Sequence, residues 1–283
     1  MNKLIYLLLL LSFYQANSQY YYKDIIAAAD LNSQMKAYMA NNVRKVTTTS
    51  FDRDGMPVRE FSEVYEINGA SLKITTRIND VTSSIRHNFN PAGQVITTVD
   101  STANVKSTST YSYDAAGKIV SIMNAAADAD SGAYFSQTEV HQYIYKDGRL
   151  DKMWRIINRT DSVEVRFVSD KNGNVIEEWN VKRGVYSDPI HYYYDEKNRL
   201  TDIVRFNHKA NRLLPDYMFV YDDNDRVIQK VTTTSGRNIG LLTWRYVFDQ
   251  RGLKTKEALY SRETNEEGTK ANRLKGRIDY SYN

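Results

Sequence analysis

The chain has 283 residues, 41% of them apolar and 25% charged, with 13 Gly, 4 Pro and no Cys. That length and balance describe a folded protein with a sizeable core and exclude disorder, collagen and coiled coil as the dominant state. The missing cysteine excludes a disulfide framework, a thiolate zinc site, a cysteine nucleophile and a lipidated N-terminal Cys, and a net charge of +4 from 38 basic and 34 acidic residues does not point to nucleic acid.

Residues 1–18, MNKLIYLLLLLSFYQANS, read as an export signal. Lys3 supplies a positive start and Leu4 to Phe13 a short apolar run, well short of the roughly 20 residues that span a bilayer. Ala16 and Ser18 are small and spaced for a signal peptidase cut between Ser18 and Gln19. No later segment is apolar for long enough to cross a membrane. The expectation is an exported mature chain in the periplasm, at the cell surface or outside the cell.

Residues 19–45 form an N-terminal helical segment. Within it DIIAAADLNSQMKAYMANN, 24–42, is rich in good helix formers and keeps apolar residues at helical spacing through Ile25, Ala28, Met35 and Met39. Asn41-Asn42 suits its end.

From residue 46 the texture changes to Thr, Val, Ile, Tyr and Arg runs broken by Asp and Gly. One pattern recurs: aromatic, any residue, aromatic, Asp-x-x-Gly, a basic or amide residue, an aliphatic residue. HNFNPAGQV (87–95), YSYDAAGKI (111–119), YYYDEKNRL (192–200), FVYDDNDRV (219–227) and YVFDQRGLK (246–254) carry it, with weaker copies in FDRDGMPV (51–58) and FVSDKNGNV (167–175). YIYKDGRL (143–150) has a shorter turn, and YSYN (280–283) is the opening of another copy. The anchor positions Phe89, Tyr113, Tyr145, Ser169, Tyr194, Tyr221 and Phe248 lie 24 to 32 residues apart, room for two strands and a connection. Stretches 124–134 and 207–216 have the small and polar composition of loops.

Two aromatics spaced by two share one face of a strand. Asp then suits the first position of a turn, where its carboxylate accepts backbone N–H bonds. Gly suits the left-handed position that closes the turn into a hairpin. The turn residues so identified are Asp114 with Gly117, Asp170 with Gly173, Asp195 with Asn198, Asp222 with Asp225, and Asp249 with Gly252. Where Gly is absent, Asn198 and Asp225 are the residue types that best tolerate positive φ. Asp147-Gly148 and Asn68-Gly69 are two-residue hairpin signals. The fold class expected is all-β: a long antiparallel sheet of repeated hairpins, about sixteen strands, strongly curled or closed on itself, with one N-terminal helix.

The pattern resembles the YD repeat, or RHS repeat, with its Tyr-Asp-x-x-Gly-Arg-Leu consensus. The matches are YDEKNRL at 194–200, YDDNDRV at 221–227, YDAAGKI at 113–119 and YKDGRL at 145–150, and the resemblance extends over roughly residues 50–283. It implies a long antiparallel sheet that curls on itself, which in large family members forms a shell around a toxin cargo. The expectation is a short secreted member without a toxin module: the sequence has far fewer repeats, and Asp188-Pro189 is followed by Ile190 where the self-cleavage motif requires Gly. Encapsulation is therefore not carried over, and fold alone does not assign function.

No HExxH, GxSxG, P-loop or GxGxxG is present, so no cofactor, metal or catalytic residue is expected. His87, His141, His191 and His208 lack ligand spacing. Most carboxylates have a turn explanation, and Asp222-Asp223-Asn224-Asp225 lacks the alternation of a calcium loop. A glycosidase would need two facing carboxylates, for which Glu139, Glu177 and Glu178 are the nameable candidates. Arg149, Arg199 and Arg226 recur after turns, either as solvated partners of nearby Asp or as a ladder for an anionic polymer. Tyr20-Tyr21-Tyr22, Tyr186, Trp154, Trp179 and Trp244 either pack in the core or form a platform for sugar rings. The leading expectation is a non-enzymatic binding or structural scaffold at the cell envelope. A glycan-binding protein and a carboxylate-dependent secreted hydrolase are the alternatives. The partner is an unidentified protein or glycan.

Overall fold

A computed structural model describes residues 20–102, 105–128, 136–234, 240–264 and 270–283. The signal segment and its Ser18/Gln19 junction lie outside the described residues. One helix, α1 (Tyr22–Ala40), precedes the strands β1 (Lys45–Asp52), β2 (Phe61–Asn68), β3 (Ser71–Ile78), β4 (Val81–Phe89), β5 (Val95–Ser101), β6 (Val105–Tyr113), β7 (Ile119–Asp128), β8 (Ser136–Lys146), β9 (Arg149–Ile157) and β10 (Asp161–Ser169). There follow β11 (Val175–Lys182), β12 (Val185–Tyr186), β13 (Ile190–Tyr194), β14 (Leu200–Asn207), β15 (Arg212–Tyr221), β16 (Val227–Thr234), β17 (Gly240–Phe248), β18 (Lys254–Thr264) and β19 (Lys270–Tyr282). The strands form one 19-stranded antiparallel sheet in which sequence neighbours pair, except that β12 and β13 both pair with β11, and β1 pairs with both β2 and β19, so the ladder closes on itself. Contacts divide the chain into two compact units: unit I comprises Val46–Glu63 with Tyr192–Tyr282, and unit II comprises Tyr20–Lys45 with Val64–His191.

The repeated turns share one geometry. In each, an Asp carboxylate oxygen accepts the amides two and four residues on: Ala116 and Lys118 for Asp114, Asn172 and Asn174 for Asp170, Lys197 and Arg199 for Asp195, Asn224 and Arg226 for Asp222, Arg251 and Leu253 for Asp249, all within 2.8–3.0 Å. The fourth residue has positive φ: 79° at Gly117, 90° at Gly173, 79° at Gly252, and 60° at both Asn198 and Asp225. The ladder register shifts at each of the anchor positions Phe89, Tyr113, Tyr145, Ser169, Tyr221 and Phe248, the one-residue bulge that such a left-handed closing residue produces. In the shorter copy Asp147 and Gly148 have φ of 50° and 76°, both positive as a two-residue hairpin loop of the mirror-image type requires.

The repeats that carry the tyrosine then lock onto the one before. The second aromatic donates its hydroxyl to the backbone carbonyl that follows the preceding turn: Tyr113 to Val95 at 2.7 Å and Tyr145 to Ile119 at 2.9 Å in unit II, Tyr221 to Leu200 at 2.7 Å and Tyr282 to Lys254 at 2.5 Å in unit I. The cation of the preceding turn covers two of these rings, Lys118 over Tyr145 at 5.1 Å and Arg199 over Tyr221 at 4.8 Å, and Arg226 lies in the same way over Phe248, which has no hydroxyl, at 4.9 Å. The Tyr, Asp, Gly and Arg positions of the repeat thus have one mechanical purpose: a bend, a carboxylate that closes it, and a ring clamped from both sides.

Three local expectations change. Stretch 124–134 is not all connection, because β7 runs to Asp128 and pairs with β6 through Asn124, Ala125, Ala126 and Ala127. Stretch 207–216 likewise includes the first half of β15, paired with β14 from Asn207↔Arg212 onward. Ladder hydrogen bonds decide both, over the weak preference of Ala, Asn and Pro against strands. The tight loop after β2 lies at Gly69-Ala70, one residue beyond Asn68-Gly69, with Gly69 at φ 55°.

In unit II, helix α1 supplies the buried side chains Ala28, Met35 and Tyr38, and the sheet supplies Leu72, Val95, Met153 and Val165, each without exposed surface. Burying each of the larger ones contributes about 1.5–3 kcal/mol. Asn32 Oδ1 accepts the Val95 amide at 2.8 Å, which ties the middle of α1 to β5. The helix ends where Asn42 adopts φ 54° and Val43 N–H donates to the Tyr38 carbonyl at 3.0 Å.

Candidate functional site

Two groups of chemistry-bearing residues assemble in unit II, on opposite sides of strands β8–β13. Their placement follows from strand alternation. Met153, Val165, Phe167 and Glu178 point to the buried side, so Lys152, Trp154, Glu164, Arg166, Glu177 and Trp179 point to the other.

On the buried side lies a polar cluster at the start of α1. Residue Tyr21 occupies the N-cap position with no side-chain cap of its own. Glu178, with no exposed surface, takes that place: its Oε1 accepts the Tyr21 amide at 2.9 Å and its Oε2 the Tyr22 amide at 3.0 Å. A carboxylate there satisfies two orphan donors and meets the positive end of the helix dipole. Asp24, one turn along, lies 2.7 Å from Nδ1 of His141, whose Nε2 lies 2.6 Å from Glu139 Oε1. The other oxygen of Glu139 accepts from Arg155 at 2.6 Å. The Tyr143 hydroxyl stands 3.2 Å from both the Asp24 carboxylate and the Tyr21 carbonyl, and the Tyr21 ring meets the His141 ring edge-on at 5.2 Å.

Electrostatics make this cluster ionic. Burial opposes a charge on His141, but bonds to Asp24 and Glu139 outweigh it and raise the imidazole to about 9. Burial likewise opposes charge on Glu139, and His141 and Arg155 reverse that, holding the carboxyl at about 2. At neutral pH the group is an imidazolium and a guanidinium interleaved with carboxylates. A general acid or base needs a free valence and a pKa near the working pH. Here both nitrogens of His141 and both oxygens of Glu139 and Glu178 are engaged inside the fold.

On the opposite side of the same strands Arg166 and Tyr186 are exposed, and Trp154, Glu164, Glu177 and Trp179 are half-buried. Tyr186 is 49% exposed, and its ring meets that of Trp179 edge-on at 5.8 Å. The Arg166 guanidinium lies 5.8 Å over Tyr186 and pairs with Glu164 at 2.6 Å, while Lys152 lies 5.9 Å over Trp154. Glu177 accepts from Trp179 Nε1 at 3.0 Å and stands 3.7 Å from His191. The register places these side by side, with Trp154 opposite Glu164 and Arg166 opposite Trp179. The result is two indoles and a phenol set among paired charges on one sheet face.

The remaining sequence candidates have other places. Trp244 belongs to unit I and is not part of this face. His87 bonds Thr98 Oγ1 at 2.9 Å and burial lowers it to about 4. His208 packs on Phe206 at 5.1 Å. Arg199 and Arg226 bond their own turn carboxylates at 2.7 Å and clamp the next ring, and Arg149 donates to the Lys171 carbonyl at 3.0 Å. These bonds hold the basic residues to the repeat. Among the described residues no group of three or more His, Asp or Glu is disposed to hold a metal ion, and no helix is long and apolar enough to cross a membrane.

No family model and no curated protein matches the chain. Solved structures resemble it remotely. A porin-like protein from Bacteroides uniformis is 9% identical over 85% of this chain and 98% of that one, with a TM-score of 0.45. A porin-like protein from Bacteroides vulgatus is 14% identical over 85% and 98%, with a TM-score of 0.28. The Photorhabdus luminescens Tc holotoxin pore is 10% identical, the match taking in 84% of this chain but 17% of that one, with a TM-score of 0.29.

Proposed function

We propose that this protein is an exported, non-enzymatic scaffold built of YD-type repeats that binds a partner at the cell envelope. The observation that carries the non-enzymatic reading is the engagement of His141, Glu139 and Glu178, whose donor and acceptor atoms are spent on holding α1 to the sheet. The export reading rests on Lys3, the Leu4–Phe13 run and the Ala16/Ser18 pair. Fractionation of cells expressing the full chain, with N-terminal sequencing of the product, tests it. A product starting at Gln19 in the envelope or medium is expected. Full-length protein in the cytoplasm overturns the export reading.

A glycan is the partner class that the aromatic face of unit II favours. Aromatic planes stack on the apolar faces of sugar rings, and flanking carboxylates and cations supply hydrogen bonds to hydroxyls. Trp154, Trp179 and Tyr186 provide the planes; Glu164, Arg166 and Glu177 provide the polar groups. Binding to a glycan array that disappears in a W154A/W179A variant is the expected result. An array without signal for the native chain removes the glycan reading and leaves a protein partner.

A further inference from the structure

Unit I contains a cavity of about 140 Å³ between β1, the turn after it, and strands β17–β19. Phe61, Trp244, Leu259 and Ile278 give it an apolar side, Ile278 standing opposite Ser50 and Trp244 opposite Leu259 in the ladder, while the Phe51 side chain points to the other face with Arg277. Arg53 and Asp54, with side chains 72% and 70% exposed, stand at its rim. Ser50 also lines it, 6% exposed, and its buried Oγ has no hydrogen-bond partner.

Most of the charges beside the cavity are answered within the fold. Glu257 accepts from Lys254 at 2.6 Å and lies 3.3 Å from the Tyr280 hydroxyl. Lys275 pairs with Glu263. Arg277 lies 4.3 Å over the Phe51 ring, its Nε 2.9 Å from Asp279 Oδ1 but off the hydrogen-bond axis, an ion contact only. An ion entering here would lose its water without gaining an unpaired counter-charge. What the site lacks is apolar matter in a space that, in an engineered apolar core, is large enough for benzene, and one partner for a buried hydroxyl.

We propose that this cavity is a binding site for a neutral, phenol-sized aromatic molecule. The ring lies among Phe61, Trp244, Leu259 and Ile278, and the ligand's hydroxyl forms a hydrogen bond with Ser50 Oγ, which shares their face of the sheet. The aromatic wall selects a ring over an aliphatic chain through edge and face contacts, and the lone serine selects a ring with one polar substituent over a bare one.

Calorimetric titration of the full chain with phenol and with benzene tests this. Saturable one-to-one binding of phenol is expected, several-fold tighter than benzene, with a rise in Tm. S50A should bring the two affinities together by weakening phenol roughly 5- to 10-fold. L259W, which fills the space, should abolish binding of both while circular dichroism shows the fold intact. If L259W does not fold, crystals of the native chain soaked in phenol decide the matter, with density for the ring beside Ser50 expected. The proposal is overturned by no saturable phenol binding at millimolar concentration, by binding unchanged in a folded L259W, or by soaked crystals with the cavity free of phenol.

Discussion

Glu178 reaches back 157 residues to accept the amide of Tyr21 at 2.9 Å, so a strand residue performs the capping that the helix's own sequence omits. Replacing Glu178 with Ala removes the bonds to the Tyr21 and Tyr22 amides, one buried and one half-buried, and leaves a void. A loss of roughly 2–3 kcal/mol in unfolding free energy is expected. Gln keeps one acceptor oxygen and should lose about half as much. Urea unfolding of the three proteins measures both, and an E178A as stable as the native chain would mean that α1 is held by its apolar side alone.

Stability should depend on pH through His141 and Glu139. An imidazole raised from 6.5 to about 9 adds stability that is complete below 6.5 and fades as pH rises through about 9. A carboxyl lowered from 4.5 to about 2 adds stability that is complete above 4.5 and fades as pH falls toward about 2. Both contributions are full between pH 4.5 and 6.5. Thermal melts from pH 3 to 10 should show a plateau there with falls on either side, and H141Q should flatten the alkaline limb.

The clamp between repeats can be isolated at Arg199 and Tyr221. Y221F removes a 2.7 Å bond to the Leu200 carbonyl and should cost about 1 kcal/mol. R199A removes the guanidinium from over the ring and from Asp195 and Asp225 and should lower the Tm, less so at high salt. A double-mutant cycle with Y221L should give a favourable, non-zero coupling. Zero coupling would mean that the stacking is incidental.

Turn chemistry predicts a split at Asn198, which sits at φ 60°. N198G should be neutral within about 0.5 kcal/mol, and N198A should cost about 1 kcal/mol because a Cβ without a compensating amide is strained there. Equal stability of the two variants in chemical denaturation would contradict the account of why Asn replaces Gly in this repeat.

The hairpin architecture was readable because positive φ leaves a chemical mark. Gly117, Asn198 and Asp225 occupy the same position in their turns, and only a few residue types tolerate it. The strand ends were not readable at 124–128 and 212–216, where Ala, Asn and Pro lower local preference and the partner strand decides. Nor could sequence assemble the polar cluster. Glu139, His141 and Glu178 are unremarkable one by one, and Asp24 lies 117 residues from the histidine it meets. The one local hint is Tyr21, a poor capping residue at the start of a strong helix.

The ring clamp has a bearing on how such a chain can change length. Where the repeat is complete, a unit offers its successor a cation and a carbonyl and its predecessor a phenol, as Lys118 and Ile119 do for Tyr145 and Arg199 and Leu200 do for Tyr221. A whole unit duplicated in tandem would find compatible neighbours on both flanks, whereas a deletion of half a unit would strand a ring with nothing to grip. Growth and shrinkage by complete modules is therefore the mutational path of least resistance for this architecture.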